Sequence, residues 1–317
     1  YDALSLHRDI QVINVRHEQA AAHAADAYSR VTGELGVLLT STGPGAVNAV
    51  PGIYEAAFVS SRVMMITGQI ESRFRGKGKG FLHEHEKQPE MLNTVCRSVA
   101  SVRYTEDISR ELSRIADDIR RGRPQPGAIE IPIDLQYRTT DIEIVGSSKT
   151  ERIAPDETLL DQAAEILRTA ERPVIWAGGG VNISGAGQEL TAFAERLGAP
   201  VVTTIEGRGS ISETHPLSLG FRTDRVSGLE IFEEADAVLA VGTRFQNYAT
   251  RVWSLPMPEK LVHVDVDPEV IGRNYPAAVA VVGDAKLGLE GLLKRVNEGN
   301  VDDQFVDRCL KIRASDE

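Results

Sequence analysis

A chain of 317 residues, 42% hydrophobic and 26% charged, has the make-up of a globular protein of about two domains. Its 35 basic against 46 acidic side chains leave a formal charge of −11, which argues against a nucleic-acid-binding face or an anionic membrane surface. Cys96 and Cys309 stand far apart, give no disulfide framework or metal spacing, and suit a reducing cytoplasm as free thiols; no apolar run reaches the ~18 residues of a membrane span, and no signal-peptide pattern opens the chain.

The chain opens with a helical pattern, Tyr1-Asp2-Ala3-Leu4, and no initiator Met, which reads as a truncated start. Gln11 to Val15 reads as a short strand. His17 to Val31 reads as an alanine-rich helix ending at Gly33, and small side chains there permit close approach of another backbone. Gly36 to Ser41 is a compact apolar strand fit for burial on both faces. A tight Gly43-Pro44-Gly45 turn follows, then a helix from Ala46 to Phe58 and a strand from Arg62 to Thr67. Glu71 to Gln88 is rich in Arg, Lys, His, Glu and Gly and reads as a mobile polar loop, the kind of segment that carries function. Glu106 to Gly122 is an amphipathic helix and Ala128 to Pro132 a strand.

A linker is expected over residues 141–155, dividing a first domain (1–140) from a second (156–298). In the second, Leu159 to Ala170 reads as helix and Pro173 to Trp176 as strand, followed by a Gly178-Gly179-Gly180 loop. Gly187 to Leu197 reads as helix, and Val201 to Thr204, Ala237 to Val241, Leu261 to Val266 and Ala280 to Val282 as strands. The charged tail, 299–317, reads as the start of a linker to a further domain. Alternating strands and helices predict an α/β fold: two doubly wound, mostly parallel sheet domains flanked by helices.

Glu18 stands where a strand ends and a helix begins. That places it at the carboxyl edge of a parallel sheet, where such folds seat ligands. By itself a helix-starting glutamate equally serves the helix dipole, for ~0.3–1 kcal/mol. The strings HEQAAAHAADAYSR, GVLLTSTGPGAVNAVPGIYEA and MMITGQIE decide between these readings as a set. From Tyr1 to Asp134 the chain resembles the pyrimidine-binding domain of acetolactate synthase and its relatives, enzymes that use thiamine diphosphate. The resemblance implies that Glu18 hydrogen-bonds N1′ of the cofactor's aminopyrimidine and so promotes loss of the thiazolium C2 proton. A carboxylate in a poorly solvated cleft suits that role. It also implies that Pro44, Gly45 and Asn48 touch the pyrimidine end. Where the synthases carry Phe-Gln-Glu this chain has Leu82-His83-Glu84, so His83 would stand beside cofactor and substrate as an acid or base. Arg97 replaces a lysine common after this loop.

Residues 156–293 resemble the central domain of the same family through RPVIWAGGGV, HPLSLGF, AVLAVGTRF, LVHVDVDPEVIGRN and VVGDAK. Gly178-Gly179-Gly180 offers backbone amides to a phosphate but is not a full dinucleotide fingerprint. Relatives bind FAD here, or ADP, or nothing. Arg244 and Asp265 are the candidate nucleotide contacts, although Asp265 and Asp267 equally cap a turn, and Gln246-Asn247-Tyr248 departs from the FAD-binding pattern. The Gly-Asp-Gly motif that holds Mg²⁺ and the diphosphate in this family is absent, so no metal site is expected in these residues and the piece alone should be inactive.

The resemblance therefore implies an enzyme that decarboxylates a 2-oxo acid and transfers the acyl unit, and that works as a homodimer or homotetramer. A 2-hydroxyacyl-CoA lyase, a simple 2-oxo acid decarboxylase, or a non-catalytic nucleotide-binding or regulatory protein are the alternatives.

Overall fold

In the computed structural model, residues 2–146, 148 and 151–315 are described. The chain divides into two units, Tyr1–Thr150 and Glu151–Glu317.

The first unit holds four parallel strands: β1 (Gly36–Thr40), β2 (Val63–Gln69), β3 (Ser98–Ser101) and β4 (Gly127–Pro132), in the order β1-β2-β4-β3. Side chains of a strand alternate between faces, so each face has its own core. On one, Leu38, Val63, Met65 and Ala128 pack with Ala46, Ala49 and Ile53 of the helix Pro44–Val59 and with Leu92. On the other, Met64, Ile129 and Ile131 meet Ile115 and Ile119 of the helix Ile108–Arg120.

The helix Glu18–Thr32 ends at Gly33 in the left-handed conformation (φ 75°), the stop the sequence signalled. Its alanines do what their size suggested. A Cβ on Gly52 would lie 2.5 Å from the Ala22 methyl and 3.1 Å from the Gln19 carbonyl oxygen, so this helix and the Pro44 helix meet nearly backbone to backbone.

The second unit holds six parallel strands, β5 (Pro173–Ala177), β6 (Val201–Thr203), β7 (Ser218–Gly220), β8 (Ala237–Val241), β9 (Lys260–Asp265) and β10 (Val279–Val282), ordered β10-β9-β8-β5-β6-β7. The chain enters at β5 in the middle, runs out to β7 and returns to β8 on the other side. That reversal puts a switch point at the carboxyl ends of β5 and β8. Both sheets thus have the α/β, doubly wound parallel form expected.

Several expectations change. Residues 11–15 form no strand: Val12, Ile13 and Val15 are exposed and find no sheet partner among the described residues, and an apolar segment without a face to bury is not held extended by a ladder. Residues 71–88, expected as a polar loop, also hold local contacts. Ser72–Phe74 forms a single turn, Phe74 and Phe81 approach ring to ring at 5.5 Å, and Glu84 accepts hydrogen bonds from the Gly80 and Phe81 amides at 2.9 Å each. Of the tail expected to begin a linker, Asp303–Ser315 is a helix that buries Phe305 and Cys309 in the second unit's core beside Trp176 and Phe232. The segments Ser98–Ser101, Ser218–Gly220, Val226–Glu234 and Ala285–Leu293 are regular elements absent from the sequence reading.

Candidate functional site

The helix Glu18–Thr32 starts beside the carboxyl end of β1. His17 caps it, its Nδ1 accepting the Gln19 amide at 3.2 Å. Glu18 is half-buried and turns toward the next helix start: Asn48 donates from Nδ2 to its Oε2 at 3.1 Å. A Cβ on Gly45 would lie 3.1 Å from Glu18 Oε1 and 2.3 Å from Ser41 Oγ. The absent side chain lets the turn pack closely: the place a Cβ would need is taken by the Ser41 hydroxyl and flanked by the Glu18 carboxylate, and Gly45 is buried against both. Glu18's own backbone N–H, Asn48 and the nearby His17 hold its pKa below the ordinary carboxylate value, against a smaller opposing effect of burial. The poorly solvated cleft expected for Glu18 is thus not formed by the first unit, which leaves the group half-open and ionised.

The other expected contacts group around the same turn. Pro44 is the first helical residue, exposed, with φ suited to that position. Asn48 lies one turn on and spends its amide on Glu18. His83 comes back across the turn: a Cβ on Gly43 (φ 60°) would meet the His83 carbonyl oxygen at 2.5 Å. His83 has φ 62°, an uncommon conformation for a residue with a side chain, and its ring is exposed without a hydrogen bond among the described residues. So the structure brings Glu18, Pro44, Gly45, Asn48 and the His83 backbone to one place, but not the His83 ring to Glu18. Arg97 lies elsewhere, bound to Asp118 at 3.3 Å and to the Arg123 carbonyl at 2.8 Å.

Sequence reasoning missed the residues beneath the turn. Gln88, fully buried, accepts the Gly43 amide at 2.8 Å and donates to Glu130 Oε2 at 2.9 Å. Glu130, also fully buried, takes a hydrogen bond from Gln69 at 3.0 Å and from Ser101 at 2.7 Å, and an ion pair with Arg75. The available signal was a polar residue near the end of each otherwise apolar strand.

The second unit's candidates are differently occupied. A Cβ on Gly178 would sit 2.2 Å from the Gly242 carbonyl oxygen, and one on Gly180 2.6 Å from Gly242 Cα. The amides of Gly178 and Gly180 already donate to Val241 O (2.9 Å) and Gly242 O (3.0 Å). These two glycines close the switch point with backbone and leave neither of those amides for a phosphate. Asp265 accepts the Asp267 amide at 2.9 Å, so its carboxylate caps a turn. Arg244 is half-buried just after β8 and its carbonyl receives Asn274 at 2.9 Å. No group of three or more His, Cys, Asp and Glu side chains able to hold a metal occurs among the described residues, and no helix among them is long and apolar enough to cross a membrane.

Comparison with known proteins places these geometries. Residues 1–94 match the thiamine pyrophosphate enzyme N-terminal TPP binding domain, and residues 160–292 match the central domain of the same enzymes. The chain belongs to the thiamine pyrophosphate enzymes. It is 36% identical over 310 residues to a probable acetolactate synthase large subunit of Methanococcus aeolicus, covering 94% of this chain and 51% of that protein. It is 36% identical over 291 residues to a probable 2-ketoarginine decarboxylase of Pseudomonas aeruginosa (90% and 51%), and 32% over 323 residues to the acetolactate synthase large subunit of Corynebacterium glutamicum (98% and 50%). The chain spans about half the length of the curated relatives it matches. In this family member Glu18, Pro44, Gly45 and Asn48 fall inside the matched TPP-binding domain, and Arg244 and Asp265 inside the matched central domain.

Proposed function

We propose that the complete protein is a thiamine-diphosphate-dependent carboligase or decarboxylase acting on a 2-oxo acid, and that this chain supplies the pyrimidine side of its cofactor site. The observation that carries the reading is the half-buried Glu18 carboxylate, oriented by Asn48 at the start of its helix and set close beside the Gly43-Pro44-Gly45 turn. These residues fit the group: a pyrimidine ring needs a carboxylate at a ring nitrogen, which the half-buried Glu18 offers, beside a turn whose exposed Pro44 is flanked by residues without side chains.

When bound, thiamine diphosphate supplies the electron sink for carbon–carbon bond cleavage and formation next to a carbonyl. Glu18 holds a proton site at its Oε1, because Oε2 is taken by Asn48. Docking of a second surface over the half-buried carboxylate would exclude water and raise its proton affinity toward neutrality. Pro44 and Gly45 present backbone to the ring. The exposed His83 ring stands next to the Gly43 turn and is assigned to the substrate side, as acid or base.

The diphosphate and its Mg²⁺ are assigned to a domain other than these two, so that the assembled enzyme is a homodimer or homotetramer in the cytoplasm and these two units alone are inactive. Arg244 and Asp265 remain the candidate contacts for FAD or ADP on the second unit. The committed Gly178 and Gly180 amides favour a central unit that holds no phosphate at that turn.

A simple decarboxylase is the second reading, favoured by the relative described as a 2-ketoarginine decarboxylase, as similar to this chain as the first synthase relative. Supplying the complete protein with thiamine diphosphate, Mg²⁺ and a panel of 2-oxo acids tests both. Carbon dioxide release with coupling to a second carbonyl marks a carboligase, and release with an aldehyde product marks a decarboxylase. Failure to release carbon dioxide from any of them would count against both.

A further inference from the structure

We propose that a buried polar row across the first sheet, with Gln88 hung beneath it, is a positioning layer that sets the Thr42–Gly45 turn against Glu18. The inference rests on the reading of Glu18 given above and adds Gln88, Thr67 and Glu130 to that site as positioning residues.

Strand register supplies the first observation. Thr40 pairs with Thr67, Thr67 with Glu130, and Glu130 with Ser101, so one row crossing all four strands is polar throughout. Two residues earlier on the same face the row reads Leu38, Met65, Ala128 and Val99, all apolar. Thr67 and Glu130 are 1% and 0% exposed, so the two central members of the polar row are as deeply buried as Met65 and Ala128 of the apolar one, with Thr40 and Ser101 half-buried at its ends. Polar groups at such depth add little net stability over a well-packed apolar row and cost heavily when unpaired. The row's partners show where it acts.

They lead to the turn. Thr40 Oγ1 donates to Thr67 Oγ1 at 2.9 Å, and Thr67 Oγ1 donates to the Ser41 carbonyl at 3.0 Å. Glu130 receives donors alone: Gln69, Gln88, Ser101 and Arg75. A carboxylate accepts and does not donate, so it forces the amide of Gln88 to face it with nitrogen. The Gly68 carbonyl, 3.0 Å from the same nitrogen, forces the same choice. The Gln88 oxygen must then face the other way, where it accepts the Gly43 amide at 2.8 Å and Thr42 Oγ1 at 3.3 Å. The polarity of one buried carboxylate is thereby passed through one amide to the backbone of the turn. Ser41 O, Thr42 Oγ1 and Gly43 N are all held from below, while Gly45 and Asn48 face Glu18 from above.

The test uses the complete protein, with amide hydrogen exchange in a peptide spanning residues 41–46 and the dissociation constant for thiamine diphosphate as readouts. Gln88→Leu removes both hydrogen-bonding atoms. Exchange over 41–46 should rise about tenfold and cofactor affinity fall about tenfold, the effect of one buried unsatisfied donor, while exchange over 174–177 stays unchanged. Gln88→Glu keeps the size and the acceptor for Gly43 but sets a second carboxylate against Glu130. Its affinity loss should shrink as pH falls, because two carboxylates in contact share a proton. If Gln88→Leu does not fold, Thr67→Val, which deletes the bond to Ser41, should give the same exchange signature. Parental exchange over 41–46 with parental affinity in the folded variants, or a pH-independent loss in Gln88→Glu, would overturn the positioning layer. An unsubstituted protein that does not bind thiamine diphosphate would instead overturn the reading of Glu18, leaving the exchange result to decide the layer.

Discussion

Two glycine-rich turns follow parallel strands in this chain, and their glycines admit different neighbours. At Gly43-Pro44-Gly45 the missing side chains admit the His83 carbonyl against Gly43, and the Ser41 hydroxyl and Glu18 carboxylate against Gly45. Gly178-Gly179-Gly180 is filled: the missing side chains of Gly178 and Gly180 admit the backbone of Gly242. On paper both turns look like ligand cradles. What separates them is the neighbour, a titratable side chain in one case and another strand's exit in the other. A glycine turn is evidence for close approach, and the structure tells what approaches.

Substitutions at the two turns break the comparison if it is wrong. Gly180→Val should show the largest stability effect. Its side chain would meet Gly242 backbone, which cannot swing aside, so thermal or urea unfolding of the second unit should report a loss of about 3 kcal/mol or more. Cofactor affinity measured on the surviving folded protein should not change.

Acid separates the two units next. His263 is fully buried with Nε2 2.9 Å from the Thr243 carbonyl oxygen, and burial pushes its pKa down to about 4 despite that hydrogen bond. The unfolded chain binds this proton near pH 6.5 and the folded one near 4. The contribution is therefore whole above about pH 6.5 and is lost progressively down to about pH 4, an effect of about 3 kcal/mol. The second unit's unfolding midpoint should fall over that interval, and His263→Leu should flatten the fall. Glu18 is shifted in the same direction by a different cause: its own backbone N–H and Asn48, not burial, lower its pKa and keep it ionised below the ordinary carboxylate range. Asn48→Leu, which removes one cause of that lowering, should move its titration upward, as read by carboxyl NMR.

Gly45→Ala should cost little stability, because the atom it meets most closely is the exposed Ser41 hydroxyl, free to rotate. It should still weaken thiamine diphosphate binding about tenfold or more, since the added methyl lies 3.1 Å from Glu18 Oε1 and crowds the carboxylate assigned to the ring. Smallest of all is the effect on the thiols. Cys96 and Cys309 are buried and pushed up to about 12 by desolvation, so alkylation should be negligible in the folded protein and complete in denaturant.

Much of this was legible in the residues. Gly33 marked a helix end, the alanines from Ala20 to Ala27 marked a close helix pair, and runs such as Ala237 to Val241 marked buried strands, because each is a local signal. What escaped notice depends on register. Glu130 sits within the apolar-looking GAIEIP, and only strand pairing aligns it with Thr67 and Ser101. Gln88 closes a link to Gly43 across 45 residues, which no local pattern encodes. The expected strand at residues 11–15 failed for the converse reason: its β-branched residues are a local strand signal, but no described strand pairs with it. The tail misled through its charges, since Phe305 and Cys309, four residues apart, are the helical face that is buried.

The central claim is that the Glu18 carboxylate is a proton partner for the cofactor's pyrimidine. Its most direct measurement is the rate of C2 proton exchange of thiamine diphosphate bound to the complete protein, compared between the unsubstituted form and Glu18→Gln. The expected result is bound cofactor in both with exchange slowed at least a hundredfold in the variant, the scale of a lost general acid–base contribution. Exchange at the unsubstituted rate in a folded, cofactor-loaded Glu18→Gln protein would contradict it.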